Sequence, residues 1–436
     1  MPQQSTRPGP TVSTRSKADE LRKQNKFDEA VGIYSTMWPD GDKWTGWGYA
    51  HSLRKLRRSR EALTVAEETH RIAPDFALGR SVLTWAAFDV IRSAEELTPN
   101  ELGLARRVVR LLEGEGTNHE KTSPFVPTVL RVARHLVRKH RYLQALAWLK
   151  KLDAARLGTD EFQFQDERGK QRRLASHRER YFSLRTVCFE KLERWEECLD
   201  AAESAVAACG QLHHDNDIWL ARRIARSKVN LGRVEEGLKE LELLAKKKAA
   251  SFIFTDIAVA AHKLGQADRA ESACLDALSA QGDLGFKLEA LLLLARVLWS
   301  KGQQERACKH LALYIAVRKT NAWSVDKDAQ VLAEQWNVAS DVDVAAALSE
   351  LKPTWRRSPP SGGSRKSGIV DSILPHGKAG FIVTADKQRF YFETRDLGNG
   401  WGKPSRGSRV NFATRPSFDR KHNRESVVAY DIRKDH

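Results

Sequence analysis

The sequence predicts a multidomain chain: an all-α solenoid of stacked helical hairpins followed by a small all-β barrel. Three observations point there. A short cassette that ends one helix and opens the next recurs from Asn25 to Ala307. A Pro/Gly/Ser-rich run from Lys352 to Ser364 then breaks the helical pattern. Beyond it, apolar residues alternate in short segments bounded by Gly and Pro, the period of β-strands.

Residues 1–16 are expected as a disordered tail. Arg7 and Arg15 with several Ser and Thr and no acid have the composition of an organellar leader. Pro2, Pro8, Gly9 and Pro10 spoil the amphipathic helix such a leader needs.

Residues 17–351 are expected as the solenoid. The cassettes begin at Asn25-Lys26-Phe27, Arg57-Arg58-Ser59, His140-Arg141-Tyr142, Glu193-Arg194-Trp195, Gly232-Arg233-Val234, Gly265-Gln266-Ala267 and Gly302-Gln303-Gln304. Each places a small residue three positions on: Ala30, Ala62, Ala145, Cys198, Gly237, Ala270 and Ala307. Such a residue lets two antiparallel helices approach closely. The intervals between them are 32, 83, 53, 39, 33 and 37 residues.

This pattern resembles the tetratricopeptide (TPR) repeat, whose period is about 34 residues. Pro74 falls where that repeat commonly ends its second helix. The 83-residue interval is read as hiding a degenerate pair near Ser81–Ile91 and Glu101–Leu112, and the 53-residue interval holds a polar insert, Gly158–Arg173. Asp326–Trp336 and Val342–Leu351 read as closing helices. A TPR-like stack is a shape and not an activity.

Residues 352–367 are expected as a flexible linker and 368–436 as the barrel. Two strands stand out: Gly377-Lys378-Ala379-Gly380-Phe381-Ile382-Val383 and Phe390-Tyr391-Phe392, joined by a turn-sized polar interval. Phe381 and Tyr391 are either a platform for stacking bases or core rings of a hairpin. The segment Gly368–Ile432 resembles a cold-shock domain, an OB-type barrel that binds single-stranded RNA or DNA. Gly377–Ile382 is similar to that family's Lys-Gly-Phe-Gly-Phe-Ile motif, Phe390–Leu397 to its second motif, and Gly407–Phe412 to its Gly-x-x-Val-x-Phe strand. The resemblance implies that Phe381 and Tyr391 keep base-stacking roles. Ala379, Ser372, Glu393 and Thr394 stand where the family has other platform residues, which implies weaker binding or a different surface.

The chain has 436 residues and a net charge of +17, with +7 of it from Arg365 onward. That balance suits a polyanionic partner or solubility alone. Five cysteines without a Cys-x-x-Cys pair read as reduced thiols of a cytoplasmic protein. No apolar run approaches the ~18 residues of a membrane span.

In TPR folds the first helix of each pair lines the concave groove. The positions so placed include Trp44, Trp47 and His51, then Arg134 and Arg138, then Arg222, Arg226 and Asn230. The last three share one helical face at i, i+4, i+8. A groove of Arg and Trp suits an acidic peptide or a nucleic-acid backbone with stacked bases; the alternative is a solvated basic face. In the barrel, Lys378, Lys387, Arg389 and Lys403 are the candidate phosphate contacts, with Phe381, Tyr391 and Trp401 the candidate stacking rings.

His213-His214-Asp215-Asn216-Asp217 has metal-ligating residue types, but no second cluster accompanies it, and loop use explains them. Gly398–Lys403 lacks the leading Gly and the trailing Ser/Thr of a phosphate loop. No catalytic constellation or cofactor fingerprint is present, so neither an enzyme nor a cofactor is expected. The expected function is a nucleic-acid-binding adaptor. Its solenoid takes a protein partner with an acidic surface, and its barrel takes single-stranded nucleic acid, RNA before DNA. The alternative is a protein-interaction scaffold whose degenerate barrel binds no nucleic acid.

Overall fold

The computed structural model describes residues 12–38, 40–165, 169–210, 212–213, 215–339, 341–355, 365–375, 377–397, 405–419 and 424–435. The chain divides into two compact units, Met1–Ile224 and Ala225–His436. The divide falls inside a helix of the solenoid. Repeats contact only their neighbours, so a stack offers no single preferred seam.

The first unit holds helices α1 (Val12–Lys23), α2 (Phe27–Met37), α3 (Lys43–Lys55), α4 (Ser59–Ile72), α5 (Ala77–Ser93), α6 (Pro99–Leu112), α7 (Phe125–Arg138), α8 (Tyr142–Leu149), α9 (His177–Lys191) and α10 (Trp195–Ala208). They form successive hairpins. The hidden pair expected in the long interval is α5–α6. It is opened at α6 by a capping box in which Thr98 and Glu101 satisfy each other's backbone, with Pro99 at the first helical position. Helix α11 (Asn216–Asn230) crosses the divide.

The cassette residues explain the hairpins. The first of each is left-handed: φ is 55–61° at Asn25, Arg57, His140 and Glu193, and 72–86° at Gly232, Gly265 and Gly302. The next N–H then reaches a carbonyl five residues back, as Arg58 does to Leu53 at 3.0 Å, which closes the helix. The small residue that follows is sealed in the interhelix seam. Ala30, Ala62, Ala145, Cys198, Ala270 and Ala307 are fully buried. At Gly237 even a methyl would lie 2.6 Å from the Ala225 carbonyl oxygen.

Two boundaries in this unit differ from expectation. Helix α1 begins at Val12, inside the span expected as a tail, because Ala18 packs fully buried against Ala30 and Tyr34 and Asp19 accepts the Tyr34 hydroxyl at 2.6 Å. The polar insert is a β-hairpin, β1 (Phe162–Gln165) paired antiparallel with β2 (Gln171–Leu174).

The second unit continues with α12 (Val234–Lys247), α13 (Ser251–Lys263), α14 (Ala267–Ser279), α15 (Leu288–Ser300), α16 (Gln304–Thr320), α17 (Lys327–Gln335) and α18 (Val344–Trp355). The expected linker begins later than its composition indicates, since Lys352–Trp355 finish α18 despite Pro353. Trp355 is the reason. It is 3% exposed, its indole N–H donates to His310 Nε2 at 3.0 Å, and its carbonyl accepts from Ser279.

The barrel is built from β3 (Lys366–Ile373), β4 (Ala379–Thr384), β5 (Arg389–Glu393), β6 (Arg409–Asp419) and β7 (Arg424–Lys434). Its order is β3-β4-β5-β7-β6, closed by β6 pairing with β3; β5 and β7 run parallel and the other pairs antiparallel. Closure gives every strand of the barrel two neighbours. Val370, Ile382, Phe390, Phe392, Val410, Phe412, Ala429 and Ile432 fill the interior. Gly380 is required there: a Cβ would strike the Ser372 carbonyl and lie 2.8 Å from the Phe392 ring.

Candidate nucleic-acid interface

Strand alternation in β4 and β5 sorts the aromatics. Phe390 and Phe392 point inward and are buried. Phe381 and Tyr391 are directly opposed across the pair and lie on the outer face, half-buried, with ring centroids 5.7 Å apart at 69°. Of the two readings open from sequence, the core-ring reading does not hold, because the barrel interior is filled by other residues.

The cations around these rings are unequal. The Arg389 guanidinium lies 4.1 Å over the Phe381 ring and is held by Asp371 at 3.1 Å and by the Ser372 hydroxyl at 3.1 Å. Its charge is therefore partly neutralised, and its plane extends the aromatic surface. Lys378 is exposed, and Lys387 is exposed in a left-handed turn. Ala379, counted as a vacated platform position, is 1% exposed and presents no surface. Trp401 and Lys403 lie outside the described residues.

The solenoid candidates fall into three groups. On α3, Trp44 is exposed and meets Phe76 edge-on at 4.8 Å. Trp47 carries the Arg22 guanidinium 4.4 Å above its ring, and His51 packs 5.9 Å from it. The His51 imidazole is pushed down to about 4 by burial, then by the charges of Arg22, Lys55 and Arg54. On α7, Arg134 and Arg138 are exposed, and among the described residues neither has an ion-pair partner.

The third group, on α11, does not stand free in the groove. Arg222 lies 3.7 Å from Glu190, which also accepts from Arg223 at 2.8 Å. Arg226 pairs at 3.3 Å with Asp256, which is 6% exposed. Asn230 donates to the Arg226 carbonyl and accepts from Lys263. The three share a face, as their spacing requires, but acids of the flanking helices α9 and α13 engage them. Replacing both arginines by glutamate would set carboxylates against buried carboxylates, so that pair cannot report on a ligand.

His213 is likewise engaged by protein groups. Its ring contacts Glu179 at 2.8 Å and Glu161 at 2.9 Å, tying the β-hairpin to α9. Among the described residues no group of three ligating side chains could hold a metal, and no helix is long and apolar enough to cross a membrane. Sequence reading missed Arg131 and Arg180, which neighbour Arg134. The i, i+3 spacing of Arg131 and Arg134 was the available signal for the first.

No family model and no curated protein matches the sequence. Among solved structures, the chain is similar to the Cut9–Hcn1 hetero-tetramer of APC/C at 15% identity and TM-score 0.37, covering 74% of this chain and 55% of that one. It thus spans about half of that chain's length. Human IFIT1, in a dimer with m7Gppp-AAAA, matches at 11% identity and TM-score 0.37, covering 78% and 74%. The C-terminal part of a TPR repeat-containing protein from Cytophaga hutchinsonii matches at 10% and 0.38, covering 64% and 99%. The TPR-like fold stands on the hairpin geometry above and not on likenesses this distant.

Proposed function

We propose that the protein is a non-enzymatic adaptor of the cytoplasm. Its barrel, read as a cold-shock-like domain, contacts single-stranded nucleic acid, RNA before DNA, while its solenoid engages a protein partner. The observation that carries this reading is the Phe381–Tyr391 pair set side by side on the outside of a barrel whose core is complete without it. Two rings in that position can each stack a base, a contact of about 1–3 kcal/mol that tolerates any sequence. Lys378 and Lys387 supply charge for the backbone, and the Arg389 plane offers a further stacking surface.

The scaffold reading draws on one contact: Arg389 already covers a face of Phe381. A titration of the full chain with a labelled oligonucleotide at two salt concentrations separates the two. Phe381→Ala and Tyr391→Ala are each expected to weaken binding by about 1–3 kcal/mol. The salt-dependent part should persist, with a slope of about −0.7 per phosphate neutralised. Full affinity in both alanine variants would remove the barrel from the interface.

A further inference from the structure

Helix α7 presents Arg131, Arg134 and Arg138 at i, i+3 and i+7, one face of one helix. Helix α9 packs beside it and adds Arg180. The four cations crowd one another. The Arg131 guanidinium is pushed down by burial, then by Arg138 and Arg134; that of Arg180 by burial, then by Arg134, with Glu179 opposing. The nearby acid Glu96 is engaged by Lys139 at 2.8 Å. Like charges gathered in this way repel one another. Arg131 is held by the Ala94 and Glu95 carbonyls, while Arg134 and Arg138 face solvent.

We propose that this arginine face of α7 and α9 binds the phosphate backbone of single-stranded nucleic acid, as a second site separate from the barrel. All four cations are arginines, whose planar forks bind phosphate and carboxylate oxygens alike in pairs. One feature favours a polynucleotide over an acidic peptide. The neighbouring first helices carry flat rings: half-buried Trp85 on α5, with the Arg54 guanidinium 5.3 Å over it, and exposed Trp44 on α3. Bases gain from such rings, whereas carboxylates do not. The inference rests on the nucleic-acid reading for its choice of ligand but uses no residue of the barrel.

The test is a binding titration of the full chain with a fluorescent 20-nucleotide oligouridine across salt, for wild type, Arg134→Glu/Arg138→Glu, Phe381→Ala/Tyr391→Ala, and all four together. Both α7 positions are exposed, so the helical circular dichroism melt should be unchanged. The α7 pair is expected to weaken binding at least about tenfold at low salt and to flatten the log–log salt slope by about 1.4, two phosphates at ~0.7 each. The same loss should appear in the barrel-variant background, which keeps failure of the barrel reading distinguishable from failure of this one. Unchanged affinity and slope in the α7 pair would overturn the site. So would polyglutamate displacing the oligonucleotide as well as unlabelled oligouridine does, which would make the face a protein-docking surface.

Discussion

Helices α7 and α11 carry the same sequence feature and put it to opposite use. Each is a first helix of its hairpin, and each sets two arginines four residues apart on one face. On α11, Glu190 and Asp256 of the flanking helices engage Arg222 and Arg226. On α7 the flanking helix α9 contributes a further arginine, and Arg134 and Arg138 remain in solvent. Charge on a helix face is thus ambiguous until the next repeat is known. An acid there makes the arginine part of the fold; a cation there leaves it for a ligand.

The widest separation between the two helices should appear in stability. Arg222→Glu with Arg226→Glu is expected to cost about 3–5 kcal/mol, as breaking buried ion pairs does. Arg134→Glu with Arg138→Glu should stay within about 0.5 kcal/mol of wild type, as exposed sites do. Urea unfolding followed by helical circular dichroism reads both, and equal losses would dissolve the contrast.

A smaller effect sharpens the same distinction with a neutral group. His310 is fully buried; its Nδ1–H donates to the Arg306 carbonyl at 2.7 Å and its Nε2 accepts from Trp355. Burial pushes the imidazole down to about 4; the hydrogen bond to the Arg306 carbonyl opposes this, the Arg306 charge adds to it, and Glu271 opposes it. Between pH 6.5 and 4 the unfolded chain binds a proton that the folded chain does not. Stability is therefore complete above pH 6.5 and falls as pH drops toward 4, by up to about 3 kcal/mol. Melting at pH 7.5 and pH 5 should show a loss in wild type that is smaller in His310→Gln by the share of His310, the rest coming from His51 and His177, which burial depresses alike. An equal pH effect in both would assign it elsewhere.

Much of the fold was legible because each feature repeats. A left-handed turn residue followed by a buried small residue announces a hairpin wherever it occurs, and the period located α5 and α6 without a cassette of their own. In the barrel, alternation made the strands legible, since Ile382, Phe390 and Phe392 share a parity that Phe381 and Tyr391 do not, while the closed barrel was expected from the cold-shock resemblance. The engaged state of Arg222 and Arg226 was not legible. Arg223 meets Glu190 across 33 residues, about one repeat, and pairing at that range depends on how neighbouring hairpins align. The end of α18 was hidden for a similar reason: Pro353 marks a break locally, while the bond from Trp355 to His310 spans 45 residues.

The turn residues also bear on the order in which the solenoid forms. Glycine closes α11–α12, α13–α14 and α15–α16, whereas Asn25, Arg57, His140 and Glu193 close earlier hairpins at positive φ. A side chain in that conformation costs roughly 1–2 kcal/mol. A linear array starts folding wherever a repeat closes most readily and then spreads to its neighbours. Nucleation is therefore expected among the glycine-closed hairpins, and pulse-labelled hydrogen exchange on refolding should protect amides of α13–α16 before those of α1–α4. The ribosome delivers the chain in the opposite direction, so the hairpins synthesised first are those whose turns carry a side chain in the left-handed conformation.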